Sequence, residues 1–553
     1  MRVWYFFSIL IVAIFLFRGI MRYPTTSLID SNDYPLIVWI HSQHVAHLRN
    51  LELQQLFSSN AFYPHNETSM LFTEFLFPTG VFATLLSFFI SSDVLIINVL
   101  FFLGMILNAF AFVRLWKRCF SGPTLYVLSF LSTFSPFFLL FYGHFQMVHL
   151  WPMIFALSFF LSEDKTKRDW IWFGFWFGVT VLSSVYLAVF LFVIALVWQA
   201  THFSLTKTWI FRELRFSIFA LIPFLLVSGW VIIGYGDTQL RFEIKREAWE
   251  YVRYAADLAD YGFTGRYNSV LNKLPLLQTY QSMQRSNGSV AFPTVVLTAL
   301  ALLGIWNARK HWSKLDSFAL ALMIAGFLFS IGTRLTFQGE YLAIRLPFLV
   351  FIKLFPFLEI VRAPSRWYFL LILGMLFFVG KTMKKIQNNS SWWLILVVLL
   401  YILESFPVYS PRSFVEYRPT IAVLRSACKE NKKLLHIPMM FVKEDREIGQ
   451  VVQYWSQNMF DSTSHSCIMS DGYSGFFPKY HRNLQERIEQ TLQDGDSDGF
   501  WSTISSTGVE VLEVSFSAMP DSWGVIVSET YNEHGWSSIF SDESHMILVK
   551  ETT

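Results

Sequence analysis

An all-α polytopic membrane domain followed by a small extracytoplasmic α/β domain is the architecture that this sequence predicts. Three observations predict it. Apolar runs recur up to residue 402, basic clusters punctuate them, and the composition turns polar beyond residue 405. Hydrophobic residues make up 54% of the 553 and charged residues 15%, with 59 phenylalanines. Soluble chains carry about 25% charged residues, so this apolar load belongs in a bilayer. The formal net charge of +3 gives no broad electrostatic case for nucleic acid. Three cysteines are too few for a disulfide scaffold. Cys428 and Cys467 both fall in the polar tail, where an oxidising side would let them pair.

The first apolar segment, 4–20, follows Met1-Arg2 and has no small-residue cleavage site. It reads as an uncleaved anchor with a cytoplasmic N-terminus. Further runs lie at 94–113, 123–141, 147–161, 170–182, 185–199, 216–235, 291–306, 317–331, 367–380 and 392–402. With the anchor they predict about eleven transmembrane helices, each needing roughly 17–25 residues with its flanks. Basic clusters such as Arg114, Lys117 and Arg118, or Lys381, Lys384 and Lys385, should stay in the cytoplasm. They do so together only if the run 75–90 does not cross. That run is therefore expected to be a juxtamembrane or re-entrant helix at the outer interface, the alternative being a twelfth span.

This topology divides the chain into a membrane domain, 1–405, with a large first outer loop at 23–72, and an extracytoplasmic domain, 406–553. Within the tail, 433–437 and 509–514 read as strands and 480–492 as a helix. Asp494-Gly-Asp-Ser-Asp-Gly499 resembles the start of a calcium loop, but Ser505 stands where the bidentate Glu should be.

The candidate chemistry begins just past the first span, in Ser27-Leu-Ile-Asp30-Ser-Asn-Asp33-Tyr-Pro35. On a helical turn, carboxylates three residues apart lie about 5–6 Å apart at Cβ. Such proximity raises one pKa and suits a general base. The same residues also fit plain capping chemistry before a helix at 36–48. That helix carries His41, His44 and His47, which with Asp33 could hold a divalent metal; the spacing equally suits an interfacial helix with snorkelling polar groups. Glu74, His144, Gln146 and His149 are further candidates on the outer face, for substrate binding. Arg345, Arg362 and Arg366 surround the third outer loop, 333–366, and the guanidinium fork matches phosphate; each could instead be an interfacial anchor.

Taken in order, Asp30-Ser-Asn-Asp33-Tyr-Pro-Leu, Phe62-Tyr-Pro-His65, Gly143-His144-Phe-Gln146, Leu182-Ser-Ser-Val-Tyr186, Arg362-Ala-Pro-Ser-Arg366 and Gly472-Tyr-Ser-Gly-Phe-Phe-Pro478 resemble the GT-C superfamily of polyprenyl-phosphate-sugar-dependent glycosyltransferases, of a poorly characterised bacterial type. The resemblance covers nearly the whole chain. It implies an inverting transferase in the bacterial inner membrane, moving a sugar from a lipid-phosphate donor to a glycan, lipid or protein acceptor. It points to Asp30 or Asp33 as the base; two residues separate them where a strict D-x-D has one, and that departure leaves open which Asp it is and whether a metal is needed. Arg345, Arg362 and Arg366 would hold the donor phosphate. Tyr473, with Phe476 and Phe477, would stack on sugar faces or form a packed turn. The rival readings are a transporter or flippase of lipid-linked glycans, which would bury ionisable residues at the bilayer midplane, and a non-catalytic scaffold.

Overall fold

A computed structural model describes residues 2–162, 165–203, 209–244, 246–262, 291–389, 392–405, 412–415, 417–429, 431–439, 448–465, 467–475 and 477–551. The chain forms two compact units. One comprises Met1–Arg22, Val99–Ile232 and Lys245–Pro411, the other Tyr23–Asn98, Ile233–Ile244 and Arg412–Thr553.

The first unit is mostly helical. Its apolar runs form helices of unequal length, because Pro and Gly break them. Residues 136–160, for example, become Pro136–Phe141, Phe145–Val148 and Trp151–Phe160. Among the described residues, three helical stretches are long and apolar enough to cross a membrane: Asp93–Trp116, Gly122–Phe141 and Ser217–Phe242. The bent pair Asn66–Phe72 and Phe77–Ser87, turned through 111°, makes up to four.

Small residues set the helix contacts here, as expected where lipid gives no hydrophobic drive to association. Helix Lys314–Ser330 packs on Tyr368–Asn389 so closely that a Cβ on Gly326 would lie 2.2 Å from the Leu371 nitrogen, and one on Gly374 would lie 2.4 Å from the Ala319 oxygen. Either glycine replaced by alanine would force the backbones apart. A hairpin, Arg334–Phe337 paired with Glu340–Arg345, separates these two helices in sequence.

The second unit combines 23–98 and 233–244 with the tail. In chain order its elements are β1 (Ser27–Leu28), α1 (Asp33–Arg49), α2 (Phe77–Ser87), the start of α3 (Asp93–Trp116), β2 (Ser413–Phe414), α4 (Thr420–Ala427), β3 (Lys433–Ile437), α5 (Ile448–Asp461), β4 (Ile468–Met469), α6 (Lys479–Asp494), β5 (Val511–Ser515), β6 (Trp536–Ser541) and β7 (His545–Lys550). At 11 residues α2 is shorter than the about 20 that a bilayer core takes, and with Asn66–Phe72 it makes either a broken span or a re-entrant loop, so the run 75–90 keeps both readings. The tail sheet runs β4-β3-β5-β7-β6, with β3 parallel to both β4 and β5, and the last two strands antiparallel. Buried Leu434, Leu435, Ile437, Val511, Leu512 and Val514 make it a central layer covered on both faces.

Residues 60–63 close the sheet's edge at β4. Asn60 O accepts from the Met469 N–H at 2.7 Å, and the Tyr63 and Phe62 N–H groups donate to Met469 O and Asp471 O at 3.0 and 2.9 Å. An open strand edge is a pairing hazard, and covering it with a loop removes that hazard. Trp39 of α1 donates its indole N–H to Asn60 Oδ1 at 2.9 Å, and α5 packs along α1. A Cys428–Cys467 disulfide joins the end of α4 to the residue before β4.

Candidate functional site

The acidic turn is built by its own backbone. β1 ends at Leu28, and α1 begins at Asp33, with Pro35 in its first turn, where a missing N–H costs nothing. Asp30 folds back over this start. Its Oδ1 accepts from the N–H of Asn32 at 2.7 Å and of Asp33 at 3.0 Å. Asp30 thus satisfies donors at a helix start, as the capping reading expects, and keeps a half-buried carboxyl. Burial pushes that carboxyl up, the neighbouring Asp33 charge pushes it further, and the backbone N–H groups pull it back, leaving it at about 7. A carboxylate poised there matches a general base working near neutrality.

The histidines of α1 are engaged by protein groups. His41 contacts Ile37 O at 2.7 Å and Thr79 Oγ1 at 2.9 Å, and His44 contacts Phe75 O at 2.6 Å. His47 sits between Glu52 and Ser58 O, at 3.3 and 3.1 Å. All three are buried, and burial drives His41 and His44 down to about 3 and 4. Among the described residues no group of three or more His, Cys, Asp or Glu side chains is arranged to hold a metal ion. Glu74 is half-buried, next to Thr73, whose carbonyl accepts from the Tyr235 hydroxyl at 2.9 Å.

In the first unit, the Arg366 guanidinium lies 4.8 Å from the centroid of the Tyr186 ring, and the Tyr186 hydroxyl accepts from the Arg362 backbone N–H at 3.2 Å, while the Arg362 guanidinium lies 5.5 Å from the centroid of the Tyr254 ring. Arg362 also reaches Glu250 at 4.0 Å, which Arg246 approaches at the same distance. Arg366 is 7% exposed and has no carboxylate partner among the described residues. Arg345 is exposed on the hairpin, opposite Arg334. Tyr186 lies in one of the motifs that carry the resemblance, though nothing in the sequence gave it a role; Glu250 and Arg246 carried no signal at all.

His144 is half-buried with its ring stacked on Phe141, and Gln146 is half-buried in the short helix that follows. His149 is buried against Phe145, with Trp151 Nε1 at 3.3 Å from its Nδ1. In the second unit Tyr473 is buried, with its ring 6.3 Å from Phe477. Phe476 lies outside the described residues. The two aromatic motifs interlock: Phe62 sits 6.2 Å from Phe477 and 5.4 Å from His481, and a Cβ on Gly472 would come within 2.6 Å of the Phe62 ring.

Two solved proteins share this fold. The structure resembles the arabinofuranosyltransferase AftD from Mycobacteria with a TM-score of 0.59 and 13% identity, over 100% of this chain and 40% of that one. It resembles the Archaeoglobus fulgidus oligosaccharyltransferase in its apo form with a TM-score of 0.55 and 10% identity, over 100% of this chain and 74% of that one. The chain thus spans about two-fifths of AftD's length. No curated protein matches it in sequence. The chain belongs to the family described as a domain of unknown function, DUF6311, whose model matches residues 46–404.

Proposed function

We propose that the protein is a membrane glycosyltransferase that moves a sugar from a lipid-phosphate donor to an acceptor hydroxyl at the extracytoplasmic face, with inversion. The observation that carries this reading is Asp30, a half-buried carboxyl held near neutrality at a helix start, in a chain with the GT-C fold. Both solved relatives named above are transferases by name, and the Cys428–Cys467 disulfide favours an oxidising side for the tail.

In the proposed step the acceptor oxygen bonds to the anomeric carbon as the carbon–oxygen bond to phosphate breaks. Asp30 takes the acceptor's proton, Asp33 being the alternative base, and the phosphate leaves with the bonding pair. A phosphate leaving group is already acidic and needs positive charge more than a proton. Arg362 and Arg366 would provide it, with Arg345 as a further contact. Glu74, His144, Gln146, His149 and Tyr473 are the proposed substrate-binding residues. The acceptor is a glycan, a lipid or a protein, and the tail would bind it.

Membranes carrying the protein, assayed with a panel of polyprenyl-phosphate sugars that includes an arabinofuranose donor, test the proposal. Transfer by wild type, lost in an Asp30→Asn/Asp33→Asn double variant, supports it. Undiminished transfer in the double variant removes the base from the reading.

A further inference from the structure

We infer that Asn98 is a positioning residue for the acidic turn, its carboxamide clamping the segment that delivers Asp30. The inference rests on the proposed role of that turn in transfer.

Asn98 lies in an otherwise apolar stretch of α3, Val94-Leu-Ile-Ile-Asn98-Val-Leu, and is 3% exposed. A buried amide is costly unless it is bonded, so its partners say what it is for. Its Nδ2 donates twice, to Pro24 O and to Ser27 O, both at 2.8 Å. Both acceptors lie in the six residues that precede Asp30. The same segment is gripped from another side by the tail: Ser27 pairs with Phe414, Leu28 with Ser413, and the Val415 N–H donates to Thr26 O at 2.9 Å. Leu28 and Ile29 are then buried, 1% and 2% exposed, and Asp30 is the next residue. One side chain and one strand thus leave the chain little freedom before the carboxyl. A base must lie within hydrogen-bond reach of one hydroxyl, and a displacement of about 1 Å can cost about 100-fold in rate.

The sequence signal is a lone asparagine in a span, and no local pattern connects it to Pro24 and Ser27. Asn98 Oδ1 has no hydrogen-bond partner among the described residues, so the donor pair is what this side chain contributes.

Three variants separate the donor from mere bulk. Asn98→Asp keeps the shape and loses the amide hydrogens, Asn98→Leu loses all polarity, and Asn98→Gln keeps the donor on a longer stem. Hydrogen exchange of the full chain in nanodiscs, without substrate, reads the turn itself. Exchange across 24–34 should speed up about tenfold in the Asp and Leu variants and return toward wild type in Gln, while helix Tyr368–Asn389 stays unchanged. In the transfer assay the Asp variant should lose about 100-fold in kcat with KM within twofold, and Gln should recover part of it. Unchanged exchange across 24–34 in the Asp and Leu variants overturns the inference, as does acceleration spread over the whole chain. Failure of the reading beneath it looks different: Asp30 and Asp33 variants then transfer normally, whatever exchange does.

Discussion

Asp471 holds His436 twice, its carboxylate accepting from the His436 backbone N–H at 2.6 Å and from ring Nδ1 at 2.9 Å. The other ring nitrogen faces Glu513 Oε2 at 3.3 Å. With a carboxylate on each side, both nitrogens must be donors, and only the imidazolium provides two. Burial alone would push His436 down, but the charges and hydrogen bonds of Asp471 and Glu513 outweigh it and lift it to about 10. Burial would raise Glu513, and His436 with Arg418 depresses it well below the carboxylate range instead. Asp461, Asn458 and Arg418 complete this buried network at the centre of the tail.

The sign of the pH dependence follows from that arrangement. A folded-state pKa raised above the ordinary imidazole value means that His436 contributes its full stability below about pH 6.5 and loses it as pH rises through about 10. Replacing one partner of a buried ion pair costs about 3–5 kcal/mol. His436→Gln should therefore lower the melting temperature clearly at pH 6.5, with the gap to wild type shrinking by pH 10. Melting curves of the full-length protein at the two pH values check this; a gap that stays constant means the imidazole does not carry charge in the fold.

Asp30 runs the opposite way for activity and stability. As a base it must be ionised, so transfer should fall about tenfold per pH unit below its value of about 7 and level off above it. As a buried acid with a raised pKa it binds a proton more readily folded than unfolded, so its contribution to stability declines from pH 4 upward and is lost above 7. Asparagine caps helices as well as aspartate does. Asp30→Asn should thus cost about 10²–10⁴ in rate and yet melt no lower, and at pH 8 higher, than wild type. A variant that loses activity and stability together at pH 8 would point to a purely structural carboxylate.

Local pattern carried the reading of the sequence as far as local pattern reaches. Lys433–Ile437 is a strand where its β-rich run ends at a proline, and Lys479–Asp494 is a helix around the predicted 480–492. Asp30 stood out as a candidate because two acids follow the first apolar run. The disulfide was visible as two cysteines in a polar tail. What stayed hidden was every relation made over long separations. Nothing in two-residue strands announces that Ser27 will pair with Phe414, or that Asn60 will cap the edge at Met469. The seating of Arg366 on Tyr186 and of Arg362 on Tyr254 was equally hidden, because an aromatic ring under a guanidinium has no spacing rule. The membrane helices were legible as apolar runs and less so as lengths: about eleven spans were expected, and among the described residues three, or four with the bent pair, are long and apolar enough to cross.

Gly472 offers a test of the aromatic lock. A methyl group there would press into the Phe62 ring, which Phe72, Phe477 and His481 already surround. Overpacking of this kind costs about 1–3 kcal/mol. Gly472→Ala should destabilise by that amount, and Gly472→Ala/Phe62→Leu should recover part of the loss because the smaller side chain yields the space. Equal destabilisation by the double variant, read from thermal unfolding, would show that Gly472 serves its backbone and not this contact.

Arg366 and Tyr186 make the last test, and the choice of substitution decides what it reports. Lysine keeps the charge of Arg366 but loses the planar fork that binds phosphate bidentately and lies flat on a ring. Arg366→Lys and Arg366→Gln should both lower kcat/KM, Gln by about 100-fold and Lys by less. Tyr186→Phe keeps the ring beneath the guanidinium and removes only the hydroxyl that accepts from the Arg362 N–H, so its effect should be smaller than that of Tyr186→Leu, which removes the cation–π contact, worth about 0.5–2 kcal/mol. Steady-state kinetics with a polyprenyl-phosphate sugar give the order directly. If Arg366→Gln transfers at the wild-type rate and affinity, the phosphate is held elsewhere and the guanidinium on Tyr186 is a packing element of the helical unit.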